Sequence, residues 1–118
     1  MRYKVTFLLD KKNLWFEQYL KKYSFKFGKK YMFRISKNPK NIKKQDIVFP
    51  LSYTKILPKK FLKKNKLTII AHESRLPKNR GFAPVQYQIL KNQKKIYISL
   101  IKAVEKVDAG PVYLRDSF

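Results

Sequence analysis

The chain carries 118 residues, of which 29 are Lys or Arg and 7 are Asp or Glu, for a formal net charge of +22. That length allows one domain with a modest core, and 44% apolar content with 15% aromatic residues excludes disorder even at this charge. No cysteine and one histidine exclude disulfides, thiol nucleophiles and cysteine-ligated zinc, and no apolar run reaches the roughly 20 residues of a membrane span.

From the N-terminus, Tyr3 to Leu9 combines β-branched and aromatic residues and reads as a first strand. Asp10 to Asn13 makes a polar turn, and Phe16, Tyr19, Leu20 and Tyr23 recur at helical spacing, which predicts a helix from Leu14 to Tyr23 capped by Asn13. Gly28 breaks that run. Tyr31 to Ile35 alternates as a second strand, Ser36 to Gln45 is a lysine-rich connector, and Ile47 to Phe49 is a third strand stopped by Pro50. Pro58 suits the first position of a brief helix, and Leu67 to Ala71 forms a fourth strand that delivers His72. Pro84 to Leu90 reads as a helix ending near Asn92. Lys95 to Val104 alternates as a fifth strand, with Ile96, Ile98 and Leu100 on one face and Tyr97, Ser99 and Ile101 on the other. Val107 to Pro111 is a tight turn, after which Val112 to Leu114 pairs back as a final strand.

This order predicts an α/β fold of three layers, with a mostly parallel, twisted sheet and a C-terminal β-hairpin, in one domain over residues 1–118. No glycine-rich loop of the dinucleotide or P-loop type is present. The N-terminus Met1-Arg2-Tyr3-Lys4 lacks a signal-peptide pattern, so a soluble cytoplasmic protein is expected, with no membrane partner and no metal.

Lysine supplies most of the positive charge, in spread pairs such as Lys21-Lys22 and Lys63-Lys64, while arginine occurs only at Arg2, Arg34, Arg75, Arg80 and Arg115. Arginine is the better fork for phosphates, so a small nucleic-acid-binding module is a weaker reading than a solvated lysine surface, although the field would draw in any phosphate-bearing substrate. The sharper candidate is His72. Its imidazole exchanges protons near neutrality, and it stands at a strand end, where α/β proteins place their chemistry.

The residues after His72 resemble a known family. The runs VFPLSYTKILPKKFLKKNKLTIIAHESRLPKNRGFAPVQYQIL from Val48 and VEKVDAGPVYL from Val104 look like the formyltransferases that use 10-formyltetrahydrofolate. That family's pattern is N-x-H, then P-S-x-L-P-x-x-R-G-x-x-P, and later a V-D-x-G turn. His72, Ser74, Leu76, Pro77, Arg80, Gly81 and Pro84 stand at matching positions, Asp108 and Gly110 supply the turn, and Ile56-Leu57-Pro58 matches an upstream I-L-P element.

The resemblance implies a shortened, Rossmann-like formyltransferase fold in which His72 is the acid/base and Asp108 orients it and favours its charged form. It implies a folate cleft formed by Ser52, Tyr53, Lys55, Ile56 and Leu57 together with Ala103, Glu105 and Val107, and substrate contacts from Ser74, Arg80 and Gly81. Asp108 alone would otherwise read as a turn former. Formyl transfer from 10-formyltetrahydrofolate to a primary amine is the implied activity, and a small nucleotide-linked amino sugar is the expected acceptor. The H-E-S-x-L-P-x-x-R-G wording resembles a sugar-modifying branch. A methionyl-tRNA formyltransferase-like protein is the alternative acceptor reading.

There are three departures from the pattern. Ile70 stands where most of the family has asparagine, and it has no donor for an oxyanion; losing one such donor costs about 10²–10³ in rate. Glu73 stands where proline is usual. The chain is also shorter than the family's catalytic domain, which leaves one sheet face to be covered in a homodimer or marks a truncated chain. A catalytically silent or fragmentary relative follows from the first and third departures.

Overall fold

Tyr3–Leu9 forms the strand β1, and its β-branched and aromatic residues suit a pleated, half-buried surface. The computed structural model describes residues 2–11, 14–51, 53, 55–73, 76, 84–106 and 108–118, with the main chain alone at 14, 15, 24, 25, 27, 84 and 87. Contacts divide the chain into two compact units, Met1–Thr68 and Ile69–Phe118.

In the first unit β1 lies between β2 (Tyr31–Ser36) and β3 (Ile47–Leu51), parallel to both. The start of β4 (Leu67–His72) adds a fourth parallel strand through Ile47↔Leu67 and Val48↔Thr68. The expected first helix is α1 (Leu14–Ser24); a short 3₁₀ segment (Phe25–Lys30) follows it, and Gly28, at φ 68, kinks that segment at little cost to glycine. Its predicted cap, Asn13, lies outside the described residues. The core gathers Leu8, Val48, Ile42, Leu57 and Phe61, the last from α2 (Lys59–Lys64). Pro58 is the cap before α2 rather than its first residue, and its carbonyl accepts from the Phe61 and Leu62 N–H groups.

Pro50 does not stop β3. The strand continues to Leu51, with Pro50 paired to Leu8. Pairing with β4 ends at Val48, so from Pro50 onward β3 has β1 as its recorded strand neighbour, and a residue without an N–H is tolerated there.

A buried polar chain ties the start of β3 to the end of α2. The Thr6 hydroxyl donates to Gln45 Oε1 at 2.9 Å, the Gln45 N–H donates to Asn65 Oδ1 at 2.9 Å, and Asn65 Nδ2 donates to the Phe61 carbonyl at 3.1 Å. Each group meets a partner, which is what burial demands.

At the rim, Asp46 accepts from the Lys4 N–H at 2.8 Å and pairs with Lys66 at 2.9 Å. The Lys4 N–H first, and Lys66 second, hold its carboxyl below the ordinary range. A depressed carboxyl stabilises the fold above the unfolded value of roughly 4 and loses that contribution as the pH falls through its own lower value. Asp46→Asn is therefore expected to unfold at lower urea than the parent at neutral pH, with the gap closing in acid. A gap independent of pH would contradict this.

In the second unit, Ile69 to His72 of β4 pair antiparallel with β5 (Tyr97–Lys102), and β5 pairs antiparallel with β6 (Val112–Ser117). β4 takes part in both ladders, so six strands run in the order β2-β1-β3-β4-β5-β6, the first four parallel, in a mixed α/β sheet. His72 is the last residue of β4 rather than the residue after it. β5 is shorter than the alternation from Lys95 to Val104 suggests, and β6 runs on past Leu114 to Ser117. Ser99 and Ile101, on the face predicted for them, are buried at 0% and 1% exposure. The helix α3 (Pro84–Leu90) ends as expected near Asn92, which is left-handed at φ 55. Asn92 N–H bonds to the Ile89 carbonyl and Gln93 N–H to the Gln88 carbonyl, the paired bonds of a Schellman ending.

Sequence charge is uneven between the units. Residues 1–68 hold 20 Lys and Arg against three Asp and Glu, net +17, and residues 69–118 hold nine against four, net +5. Among the described residues no helix is long and apolar enough to cross a membrane.

Candidate active site

Antiparallel pairing sets His72 opposite Ser99 and Ile70 opposite Ile101, and alternation puts all four on one face of the second unit. The imidazole is buried, and its Nδ1 lies 3.5 Å from Asp108 Oδ2, with side-chain exposures of 7% and 8%. Two residues 36 positions apart in the sequence are thus neighbours away from water.

Asp108 reaches that place through an unusual backbone. It is left-handed at φ 54, a conformation that aspartate tolerates better than most residues. The Ala109 N–H bonds to the Lys106 carbonyl at 3.3 Å, and the loop is closed at its base where Lys102 N–H bonds to the Pro111 carbonyl at 3.0 Å. Gly110 presses on this closure. A Cβ there would stand 1.7 Å from the Lys102 carbonyl oxygen, so the glycine of the V-D-x-G turn is required by space.

The chain leaving His72 is pinned by side chains from later in the sequence. The Glu73 carbonyl accepts from Gln88 Nε2, and Gln88 Oε1 accepts from the Tyr97 N–H at 3.1 Å. The Leu76 N–H donates to Ser99 Oγ at 3.3 Å, and the Leu76 carbonyl accepts from Arg115 at 2.9 Å. Gln88, Ser99 and Leu76 are all buried. The sequence reading missed Gln88, Ser99 and Arg115. For Gln88 and Ser99 a polar residue on the inward face of a helix or strand was the available signal, as Ser99 between Tyr97 and Ile101 illustrates, whereas Arg115 is exposed and carried no such signal.

The residues expected to line a folate cleft fall in both units. In the first, Tyr53 packs against the core, burial and then the charge of Asp10 push its hydroxyl above the usual phenol range, Leu57 is a core residue, and Lys55 and Ile56 are exposed. In the second, Ala103 is buried and Glu105 exposed. Ser52, Val107, Ser74, Arg80 and Gly81 lie outside the described residues. Ile70, half-buried on the His72 face, holds the position where an oxyanion donor was sought.

A family model described as formyl transferase matches residues 5–118. A methionyl-tRNA formyltransferase of Lactobacillus acidophilus is 38% identical over 73 residues, which are 61% of this chain and 23% of that protein. Among solved structures, the methionyl-tRNA formyltransferase from Clostridium thermocellum superposes with a TM-score of 0.82 at 21% identity, over 98% of this chain and 52% of that one. The formyltransferase PseJ from Anoxybacillus kamchatkensis, solved with UDP-4,6-dideoxy-4-formamido-L-AltNAc and tetrahydrofolate, gives 0.66 at 17% identity over 98% of this chain and 60% of that one. At these identities the two structures establish the shared fold. The chain thus spans about half the length of the Clostridium enzyme, and less than two thirds of each of these relatives.

Proposed function

The chain belongs to the formyl transferase family, and on that premise we propose that it transfers the formyl group of 10-formyltetrahydrofolate to a primary amine, with His72 as the proton-transfer group and Asp108 as its orienting carboxylate. The observation that carries this reading is the buried pair itself, His72 Nδ1 and Asp108 Oδ2 at 3.5 Å.

The folate, when bound, supplies an activated formyl carbon. The chain's own part is proton handling. With Nδ1 engaged by a carboxylate, an imidazole takes and gives its proton at Nε2. The attacking amine must lose a proton as its nitrogen bonds to the formyl carbon, and the departing folate nitrogen must gain one, so a single imidazole serves both transfers. In the first unit, Ile56 of the segment assigned to the cofactor is 76% exposed and offers an apolar surface to a flat ring.

For the acceptor, the aminoacyl end of a tRNA is favoured. The 38% identical relative is a methionyl-tRNA formyltransferase, and the net +17 of residues 1–68 suits a polyphosphate ligand. The H-E-S sequence at 72–74 favours the second reading, a nucleotide-linked amino sugar.

Incubation with 10-formyltetrahydrofolate and either methionyl-tRNA or a UDP-linked amino sugar, followed by mass spectrometry of the amine, tests both. No formylated product from either would overturn the reading. Ile70→Asn, which places a donor two residues before His72, is expected to raise the rate by about 10²-fold. An inert parent with an active Ile70→Asn variant would identify a silent relative.

A further inference from the structure

We propose that Gln88 is a positioning residue for His72, its buried carboxamide serving as a substitute rung that holds the chain at the point where it leaves β4. This rests on the formyl-transfer reading for its kinetic consequence, and on geometry alone for its structural one. The β4–β5 register ends at His72↔Ser99. One step further the two strands would set Glu73 opposite Ile98, and the next step would bring the partner of Tyr97. In place of that continuation, the Gln88 side chain donates from Nε2 to the Glu73 carbonyl at 2.5 Å and accepts the Tyr97 N–H on Oε1 at 3.1 Å.

A carboxamide has the planar donor and acceptor of a peptide group. It can therefore close a ladder where a backbone departs. Gln88 is 1% exposed, so neither Glu73 nor Tyr97 exchanges this partner for bulk water without cost. The Gln88 main chain is fixed as well, because its carbonyl takes the Gln93 N–H of the helix ending. The residue adjoining His72 is thus tied through one side chain to β5 and through one helix end to α3. Imidazole placement depends on that tie, and an error of about 1 Å in a reacting group can cost 10²-fold in rate.

The test separates hydrogen bonding from packing. Gln88→Met keeps length and volume and removes both bonds. Gln88→Glu keeps the acceptor for Tyr97, and only in its protonated form regains a donor for Glu73. His72 is the sole histidine, so the side-chain ¹⁵N spectrum of histidine-labelled protein reports this imidazole alone. Gln88→Met is expected to lower kcat by roughly 10- to 100-fold with little change in KM for the folate, and to shift or broaden the imidazole signals. Gln88→Glu is expected to lose activity relative to the parent at about pH 8 and to recover toward it at about pH 6, since burial raises a carboxyl's pKa.

An unchanged imidazole spectrum in Gln88→Met, or a Gln88→Glu to parent ratio that does not vary with pH, would overturn the proposal. Should Gln88→Met fail to fold, the pH comparison within Gln88→Glu decides. Should the parent transfer no formyl group, the formyl-transfer reading fails and the imidazole spectra still decide the role of Gln88.

Discussion

His72→Ala is expected to lower formyl transfer by about 10²–10⁴-fold, the range that a positioned acid/base contributes. The chain has no second imidazole to substitute, and zero cysteines leave no thiolate either. Because His72 and Asp108 are both buried, the variant also leaves a carboxylate without its imidazole neighbour. Activity loss must therefore be measured beside stability. Urea denaturation establishes the folded fraction, and affinity for a folate analogue by fluorescence titration establishes that binding survives. A rate loss below tenfold in folded protein would remove His72 from the reaction. Added imidazole that partly restores turnover would locate the lost function in proton transfer.

Gly110→Ala is the second substitution with a large expected effect, and it acts without touching a reacting atom. The new Cβ would stand 1.7 Å from the Lys102 carbonyl oxygen and 2.8 Å from its carbon, and both are main chain in a paired strand. No rotamer relieves this contact. Either the loop base opens, with loss of the Lys102 to Pro111 bond, or the β5–β6 register shifts. A cost of roughly 3 kcal/mol or more is expected in chemical denaturation, at the upper end for overpacking because main chain cannot step aside. Asp108 lies two residues away, so activity should fall in whatever fraction remains folded. Stability within about 0.5 kcal/mol of the parent would show that the loop base adapts.

The site pair was legible in the sequence because motif order, rather than local propensity, brought His72 and Asp108 together. Strand positions were legible where apolar residues alternate or cluster, as in β1 and β2. Pro50 was misread by applying a local rule: proline lacks a ladder donor, but the need for that donor depends on which neighbours flank the strand at that level, and that is a property of the sheet. Gln88, Ser99 and Arg115 escaped notice for a related reason. Each holds a main-chain group between 15 and 39 residues away, and no spacing rule specifies such a partner. Ile70 illustrates the converse. Its departure from the family pattern is plain in sequence, and the structure adds that it shares a face with His72.

The loop that carries Asp108 has two unequal arms. The Lys102 to Pro111 bond closes it, and Gly110 sits tight against that closure, so the arm from Asp108 to Pro111 has no slack. Ahead of the aspartate, the Ala109 N–H to Lys106 carbonyl bond fixes the turn itself, so changes of length are expected before Lys106. Among relatives of this chain, insertions and deletions should accumulate there and be absent between the aspartate and the glycine. The spacing of those two residues works as a ruler, and the residues ahead of them are where the loop can change to suit a different substrate.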